Sequence, residues 1–105
     1  MNRLSTHILD TSLGKPAAGV PVRLLQGERE INSQVTDADG RCQNLLPNDM
    51  TLAPGIYRIV FDVTAYLPDG LYPEVTISFK VAAGVAHYHI PLLLSPFGYT
   101  TYRGN

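Results

Sequence analysis

The sequence is short of cysteine, of net charge and of long apolar runs, and each shortage excludes a class of protein. Cys42 is the only cysteine, so no disulfide can form within the chain. The 8 basic and 9 acidic residues leave a net charge of −1, which gives no electrostatic attraction for nucleic acid or an anionic membrane. No apolar run reaches the roughly 20 residues of a membrane-spanning helix. We therefore expect neither a nucleic-acid partner nor a membrane partner.

Familiar catalytic and targeting motifs are missing as well. The sequence has no G-x-S-x-G nucleophile elbow and no glycine-rich phosphate loop. The start, from Met1 to His7, lacks the apolar stretch of a secretory signal. We expect a cytoplasmic protein in a reducing compartment, with Cys42 as a small, partly buried thiol beside a turn.

The 105 residues fit one domain, residues 1–105, with one hydrophobic core. Helical periodicity is nearly absent, and short alternating runs are separated by Gly, Pro, Asn and Asp. The predicted strands are Leu4–Asp10, Val20–Gln26, Glu30–Thr36, Arg41–Leu46, a run from Gly55 through Val63, Val75–Val81, Val85–Leu94 and Tyr99–Arg103.

Seven or eight short strands in a chain of this length predict an all-β, two-sheet sandwich with little or no helix. Gly14–Gly19 is predicted to be a turn-rich link, and Gly40 to adopt a positive φ. Residues 65–73 contain two prolines and hold at best one helical turn. The buried faces are predicted to carry Val20, Val22, Leu24, Tyr57, Ile59, Phe61, Val63, Val75, Ile77, Phe79 and Val81.

All three histidines fall on predicted strands. His87 and His89 are two residues apart and therefore share a strand face. The alternate positions, Ala86, Tyr88, Ile90 and Leu92, have the character of the core side. The histidines then lie on an outer sheet face, and the apolar run that follows them suggests that another subunit covers this face.

Three interpretations of these residues remain open from spacing alone. Three histidines on strands can form a zinc site, although no further Cys, Asp or Glu ligand is obviously placed. Imidazoles also serve as general acids and bases near neutral pH. The simplest interpretation is that they are structural interface histidines. Arg41 follows a tight turn, where it is either a solvated cation or a group that stabilises a developing oxyanion.

Both ends of the chain resemble the transthyretin family. The first similar stretch is L-S-T-H-I-L-D at residues 4–10, followed by G-K-P-A and V-P-V. The last is H-Y-H-I-P-L-L-L-S-P-F-G-Y at residues 87–99, and the turn T-D-A-D-G-R-C at residues 36–42 is similar too. The hydrolase branch of this family carries His7, Arg41, His89 and the C-terminal Y-R-G segment, whereas the hormone-carrier branch lacks this set.

The resemblance implies a transthyretin-like fold and an enzyme that opens the ring of 5-hydroxyisourate in urate breakdown, yielding 2-oxo-4-hydroxy-4-carboxy-5-ureidoimidazoline. It implies catalysis by His7, Arg41 and His89, with substrate contacts from these residues and from Tyr102, Arg103 and Asn105. It requires neither a metal nor a cofactor, and leaves His87 in a supporting role. It also implies a homotetramer with pockets where two dimers meet.

Two departures from the family pattern stand out. Asn105 replaces the usual terminal serine, so a pocket hydroxyl is exchanged for an amide that both donates and accepts hydrogen bonds. The link from Tyr66 to Pro73 is several residues shorter than the family norm, which usually carries a helix there. Two alternatives to the hydrolase remain: a non-enzymatic small-molecule carrier on the same fold, and a structural β-sandwich module.

Overall fold

The computed structural model describes residues 3–47 and 50–105, and the two groups of strands form the predicted sandwich. Met1 and Asn2, part of the stretch used to predict that a signal peptide is absent, lie outside the described residues. The strands are β1 (Arg3–Asp10), β2 (Lys15–Pro16), β3 (Pro21–Gln26), β4 (Arg29–Val35), β5 (Arg41–Cys42), β6 (Gly55–Asp62), β7 (Glu74–Val81), β8 (His87–Ser95) and β9 (Gly98–Thr101).

One sheet has the order β2-β1-β8-β9, with β5 also paired to β1, and the other has the order β4-β3-β6-β7. The β1–β8 pair is parallel, and all other pairs are antiparallel. The core lies between the two sheets because alternate side chains of each strand point inward. All the predicted core positions are buried there except Phe79, which is partly buried and packs against the core.

The strands differ from the prediction most at two places, and β9 also runs from Gly98 to Thr101 where Tyr99–Arg103 was predicted. Arg41–Leu46 was expected to be one strand, but β5 ends at Cys42. The side chain of Asn44 accepts hydrogen bonds from the backbone N–H groups of Leu4 and Leu46, at 3.3 and 3.1 Å, and so replaces ladder bonds at this point. Lys15–Pro16 was expected to belong to a turn-rich link, but it pairs with the end of β1 and raises the number of strands in the described residues to nine.

The other expectations for local structure hold in most respects. Gly40 has a φ of 73°. Residues 65–73 form turns, and the N–H of Leu67 donates to the carbonyl of Val63 at 2.8 Å, a single helical-type hydrogen bond. Ala86, placed on the core side by alternation, is exposed because β8 begins only at His87. No helix among the described residues is long and apolar enough to cross a membrane.

Asp10 connects the end of β1 to the turns at residues 64–70. Its buried carboxylate accepts hydrogen bonds from the Ser12 N–H (3.0 Å), the Ser12 hydroxyl (2.7 Å), the Leu13 N–H (3.0 Å) and the Tyr66 hydroxyl (2.7 Å). Burial acts to raise the pKa of Asp10, but these hydrogen bonds outweigh it and the pKa is lowered. Burial and the Asp10 carboxylate raise the pKa of Tyr66 to about 12. The charged carboxylate is therefore the form that fits this position.

Candidate active site

A tight turn presents Arg41 to the outer face of the first sheet. The Asp37 carboxylate accepts hydrogen bonds from the N–H groups of Asp39 and Arg41, both at 2.9 Å. Gly40 packs so closely against β1 that a Cβ there would lie 2.6 Å from the carbonyl oxygen of Ile8. Only glycine tolerates both this approach and the positive φ. The turn thereby brings β5 alongside β1.

Strand register then places the predicted catalytic residues together. His7 lies opposite Arg41 in the β1–β5 pair, and Ser5 lies opposite His89 in the β1–β8 pair. Residues opposite one another project from the same face, as do Ser5 and His7, two apart on β1. The side chains of His7, Arg41 and His89 are all partly exposed on this face. The structure therefore brings these three predicted residues onto one surface, which we call the histidine face.

Ser5 joins the two histidines of β8. Its hydroxyl lies 2.8 Å from Nδ1 of His89 and 3.0 Å from Nε2 of His87. The two imidazole centroids are 6.3 Å apart. Ser5 itself is buried, with 7% of its surface exposed, whereas His87 is exposed. His89 is thus fixed through one ring nitrogen, and Nε2 is left as the nitrogen directed away from Ser5.

The environment of His89 favours its neutral form. Burial lowers the pKa of His89 below its ordinary value of 6.5, and the positive charges of Arg41, His87 and His7 lower it further. A hydrogen bond with the backbone of Ser5 acts in the opposite direction but is outweighed. At neutral pH the ring therefore carries a free lone pair and can accept a proton.

The C-terminal segment packs directly against His89. Gly104 bridges His89, and its N–H donates to the His89 carbonyl at 2.8 Å. A Cβ on Gly104 would lie 2.5 Å from Cδ2 of His89 and 3.1 Å from Cγ of Pro91. The bridge continues the β8–β9 register, which places Tyr102 opposite Pro91 and on the histidine face. Tyr102 and Asn105 are both exposed.

Arg103 lies on the other side of this segment. Its guanidinium carbon is 5.3 Å from the centroid of the Tyr88 ring, a cation–π contact on the inward side of β8. Arg103 and Tyr102 also line a groove of about 210 Å³ with Ile77, Phe79, Lys80, Tyr88, Ile90 and Thr101. Within one chain, the structure does not bring the Arg103 guanidinium to His7, Arg41 and His89.

Neither of two surface cavities of the described chain includes the catalytic set. The groove beside Arg103 is one, and the other, of about 560 Å³, is lined by residues 51–54 and 82–86. The histidine face is instead an open surface of a single chain. Across residues 3–47 and 50–105, no group of three His, Cys, Asp or Glu side chains is placed to hold a metal ion. The zinc interpretation therefore gains no support from the geometry.

The site residues predicted from the sequence do not include Ser5, and Gly104 enters only as part of the Y-R-G segment of the family resemblance. The signal for Ser5 is its position two residues from His7, on the same face of a predicted strand. The signal for Gly104 was a glycine at the end of a strand-like run, which often marks close approach of another group. Neither signal predicts which histidine is contacted, because that depends on the pairing of distant strands.

The sandwich and the face of imidazoles beside a guanidinium define a small all-β protein with a polar, acid–base-competent site. The sequence model of the HIUase/Transthyretin family matches residues 4–104, and the chain belongs to this family. A curated relative from Salmonella dublin named 5-hydroxyisourate hydrolase is 45% identical over 112 residues, covering 99% of this chain and 82% of the relative.

Two solved structures represent two kinds of protein on this fold. The 5-hydroxyisourate hydrolase of Klebsiella pneumoniae superposes with a TM-score of 0.91 at 35% identity, over 100% of both chains. Sea bream transthyretin in complex with thyroxine superposes with a TM-score of 0.89 at 34% identity, over 97% of this chain and 94% of the other. Backbone similarity alone therefore does not separate the two kinds.

Proposed function

We propose that this chain hydrolyses 5-hydroxyisourate, with His7, Arg41 and His89 as its catalytic residues. The observation that carries the proposal is the strand register that puts His7 opposite Arg41 and places His89 on the same face. A hydrolase needs a base for the attacking water and an acid for the departing nitrogen, and these side chains supply both. The relatives named as 5-hydroxyisourate hydrolases support the choice of substrate.

The chemistry assigned to each residue follows from its state. His89 is held neutral and accepts a proton from water, with His7 nearby to share proton transfer. Arg41 remains a cation throughout and stabilises the negative charge that develops on the attacked carbonyl oxygen. Water attack followed by loss of the ring nitrogen opens the six-membered ring. The scheme uses only protein side chains.

Substrate binding is proposed to extend beyond these residues to Tyr102, Arg103 and Asn105. Tyr102 has the most direct support, since its register places it on the histidine face. Arg103 and Asn105 are proposed to contribute at the rim of a pocket that two subunits complete. Asn105 supplies an amide where the family pattern has a hydroxyl.

The open histidine face favours assembly into a homotetramer, in which a second subunit covers this surface and excludes water. Particles in solution should then have four times the 11.5 kDa chain mass, as measured by light scattering. A cytoplasmic location is part of the same proposal.

The test is an assay of freshly generated 5-hydroxyisourate, following its ultraviolet absorbance against spontaneous decay. His89→Asn should lower kcat/KM by about 10²- to 10⁴-fold, the usual contribution of a general base. Arg41→Gln should lower it by on the order of 10²- to 10³-fold. Arg29→Gln, an exposed arginine on β4 of the other sheet, is the matched control and should leave the rate unchanged.

Two results would remove the hydrolase proposal. The first is a wild-type protein that does not speed the decay of the substrate. The second is a His89→Asn variant as fast as wild type. Saturable binding without acceleration would instead indicate the carrier function, for which the similarity to thyroxine-bound sea bream transthyretin is the specific argument. Absence of both would indicate a structural module.

A further inference from the structure

We propose that Ser5 and His87 form a proton relay that connects His89 to solvent and resets it between turnovers. The inference rests on the proposed hydrolase function, and assigns a role to two residues outside the catalytic set. Ser5 and His87 are positioning and relay residues in this scheme, because neither has to touch the substrate. His89 remains the group that does.

The geometry is that of a continuous hydrogen-bonded chain. The Ser5 hydroxyl lies within hydrogen-bond distance of both rings, 2.8 Å from Nδ1 of His89 and 3.0 Å from Nε2 of His87. A hydroxyl has one proton to donate and two lone pairs. It therefore donates to one imidazole and accepts from the other, so the proton positions on the two rings depend on each other.

The protons along this hydrogen-bonded chain can therefore take two arrangements. In the first, Ser5 donates to His87, and His89 donates its Nδ1–H to Ser5, which leaves Nε2 of His89 as an unprotonated base. In the second, His87 donates its Nε2–H to Ser5, and Ser5 donates to Nδ1 of His89, which makes Nε2–H of His89 a proton donor. The same ring can thus be prepared as base or as acid by moving protons along the chain.

The relay step balances without any further reactant. After taking a proton from water at Nε2, His89 is an imidazolium. Its Nδ1 proton passes to the Ser5 oxygen while the Ser5 hydroxyl proton passes to Nε2 of neutral His87. His87, now an imidazolium, releases its Nδ1 proton to bulk water. His89 is left neutral with its proton on Nε2. When that proton goes to the departing nitrogen, the Ser5 hydroxyl proton moves to Nδ1 of His89, the Nε2 proton of His87 moves to the Ser5 oxygen, and His87 takes a proton from water at Nδ1. No imidazolate forms, and the first arrangement is restored.

The charged groups around Ser5, His87 and His89 favour movement of the proton from His89 to His87 and then to solvent. Arg41 and His7 face His89 from β5 and β1, and both disfavour an imidazolium there. Arg3, opposite His87 in the β1–β8 register, donates hydrogen bonds to the Gln43 carbonyl (2.9 Å) and side-chain oxygen (3.2 Å). His87 is exposed, so water solvates its positive charge, whereas His89 is partly buried.

Nitrogen-15 NMR of the histidine rings tests the coupling without any substrate. In the wild type, the fraction of neutral His89 protonated at Nε2 should rise as the pH is lowered and His87 becomes protonated. In His87→Ala and in Ser5→Ala this fraction should no longer depend on pH. Ser5→Thr keeps a hydroxyl and should restore the dependence. A wild-type fraction that does not change with pH, or one unaltered in Ser5→Ala, would overturn the relay.

Kinetics then test whether the relay is used. His87→Ala should lower kcat by about 10- to 100-fold, by analogy with the outer partners of metal-bound histidines, with little change in KM. Added imidazole should restore much of the lost turnover by accepting the proton in place of His87, while leaving the wild type unaffected. A full-rate His87→Ala variant, or a loss that imidazole does not relieve, contradicts the relay even if the wild type is an active hydrolase. An inactive wild type with coupled histidines would instead reject the hydrolase alone.

Discussion

Replacing Gly104 with alanine tests whether the C-terminal segment sets the position of His89. The φ of Gly104 lies outside the left-handed region, so alanine meets no backbone penalty and the effect is purely steric. The new Cβ would lie 2.5 Å from Cδ2 of His89, where ordinary contacts begin at 3.4 Å. Either the imidazole or the C-terminal segment must move, because Cγ of Pro91 would also lie close to the new Cβ, at 3.1 Å.

The expected loss of activity follows from the size of the overlap between the new Cβ and the His89 ring. Relief of the contact requires a displacement of about 1 Å, and a misplacement of that size in a catalytic group costs on the order of 10²-fold in rate. Stability should change by less than about 1 kcal/mol, since the bridge to His89 holds the segment with one backbone hydrogen bond. Gly104→Ala should therefore lower kcat/KM about 10²-fold while the protein stays folded.

The assay is the decay of 5-hydroxyisourate, with thermal unfolding measured on the same samples. Gly98→Ala is the matched control, because it lies on β9 and a Cβ there meets only the Ser95 hydroxyl, at 3.8 Å. It should keep the wild-type rate. The steric argument is refuted if Gly104→Ala is as active as Gly98→Ala, or if both variants lose activity together with their fold.

Three further predictions concern the charged and titratable groups. Because the pKa of His89 is lowered in the folded protein, the unfolded chain binds a proton at this residue more readily, and stability falls as the pH drops below about 6.5. Arg41→Gln should raise the NMR titration midpoint of His89 toward 6.5. An unchanged midpoint would argue against electrostatic coupling between Arg41 and His89. Asp10→Asn should lower the free energy of unfolding in urea by about 2 to 3 kcal/mol, because a charged acceptor of four hydrogen bonds is lost. Since the pKa of Asp10 is lowered in the folded protein, this stabilisation is present above pH 3.8 and disappears as the pH falls through the folded pKa. Asp69→Asn, at an exposed position, should leave stability unchanged, and equal effects of the two substitutions would contradict the argument. Burial, aided by the negative charge of Asp37, raises the pKa of the Cys42 thiol to about 11. Cys42 should therefore resist alkylation at pH 8 until the protein is unfolded, as measured by mass spectrometry. Rapid labelling of the folded protein would contradict a buried Cys42 thiol.

Much of the fold was predictable because alternation of apolar residues has a fixed structural meaning. A side-chain period of two assigns each residue of a strand to one face, and Val20, Val22 and Leu24 are fully buried as this rule requires. The rule is weakest where a strand ends. Cys42 closes β5 four residues before the predicted end, since the Asn44 side chain takes over backbone hydrogen bonds that a pattern of hydrophobicity does not reveal.

The amino-acid sequence by itself determined the class of fold, the family resemblance and the choice of His7, Arg41 and His89, because these depend on local alternation and on residue identity. The tertiary structure decided how the residues meet. Ser5 and His89 are 84 positions apart, and only the parallel register of β1 and β8 makes their side chains neighbours. A separate antiparallel bridge, between His89 and Gly104, places Gly104 against the His89 ring. Register is a long-range property, and alternation within one strand does not fix it.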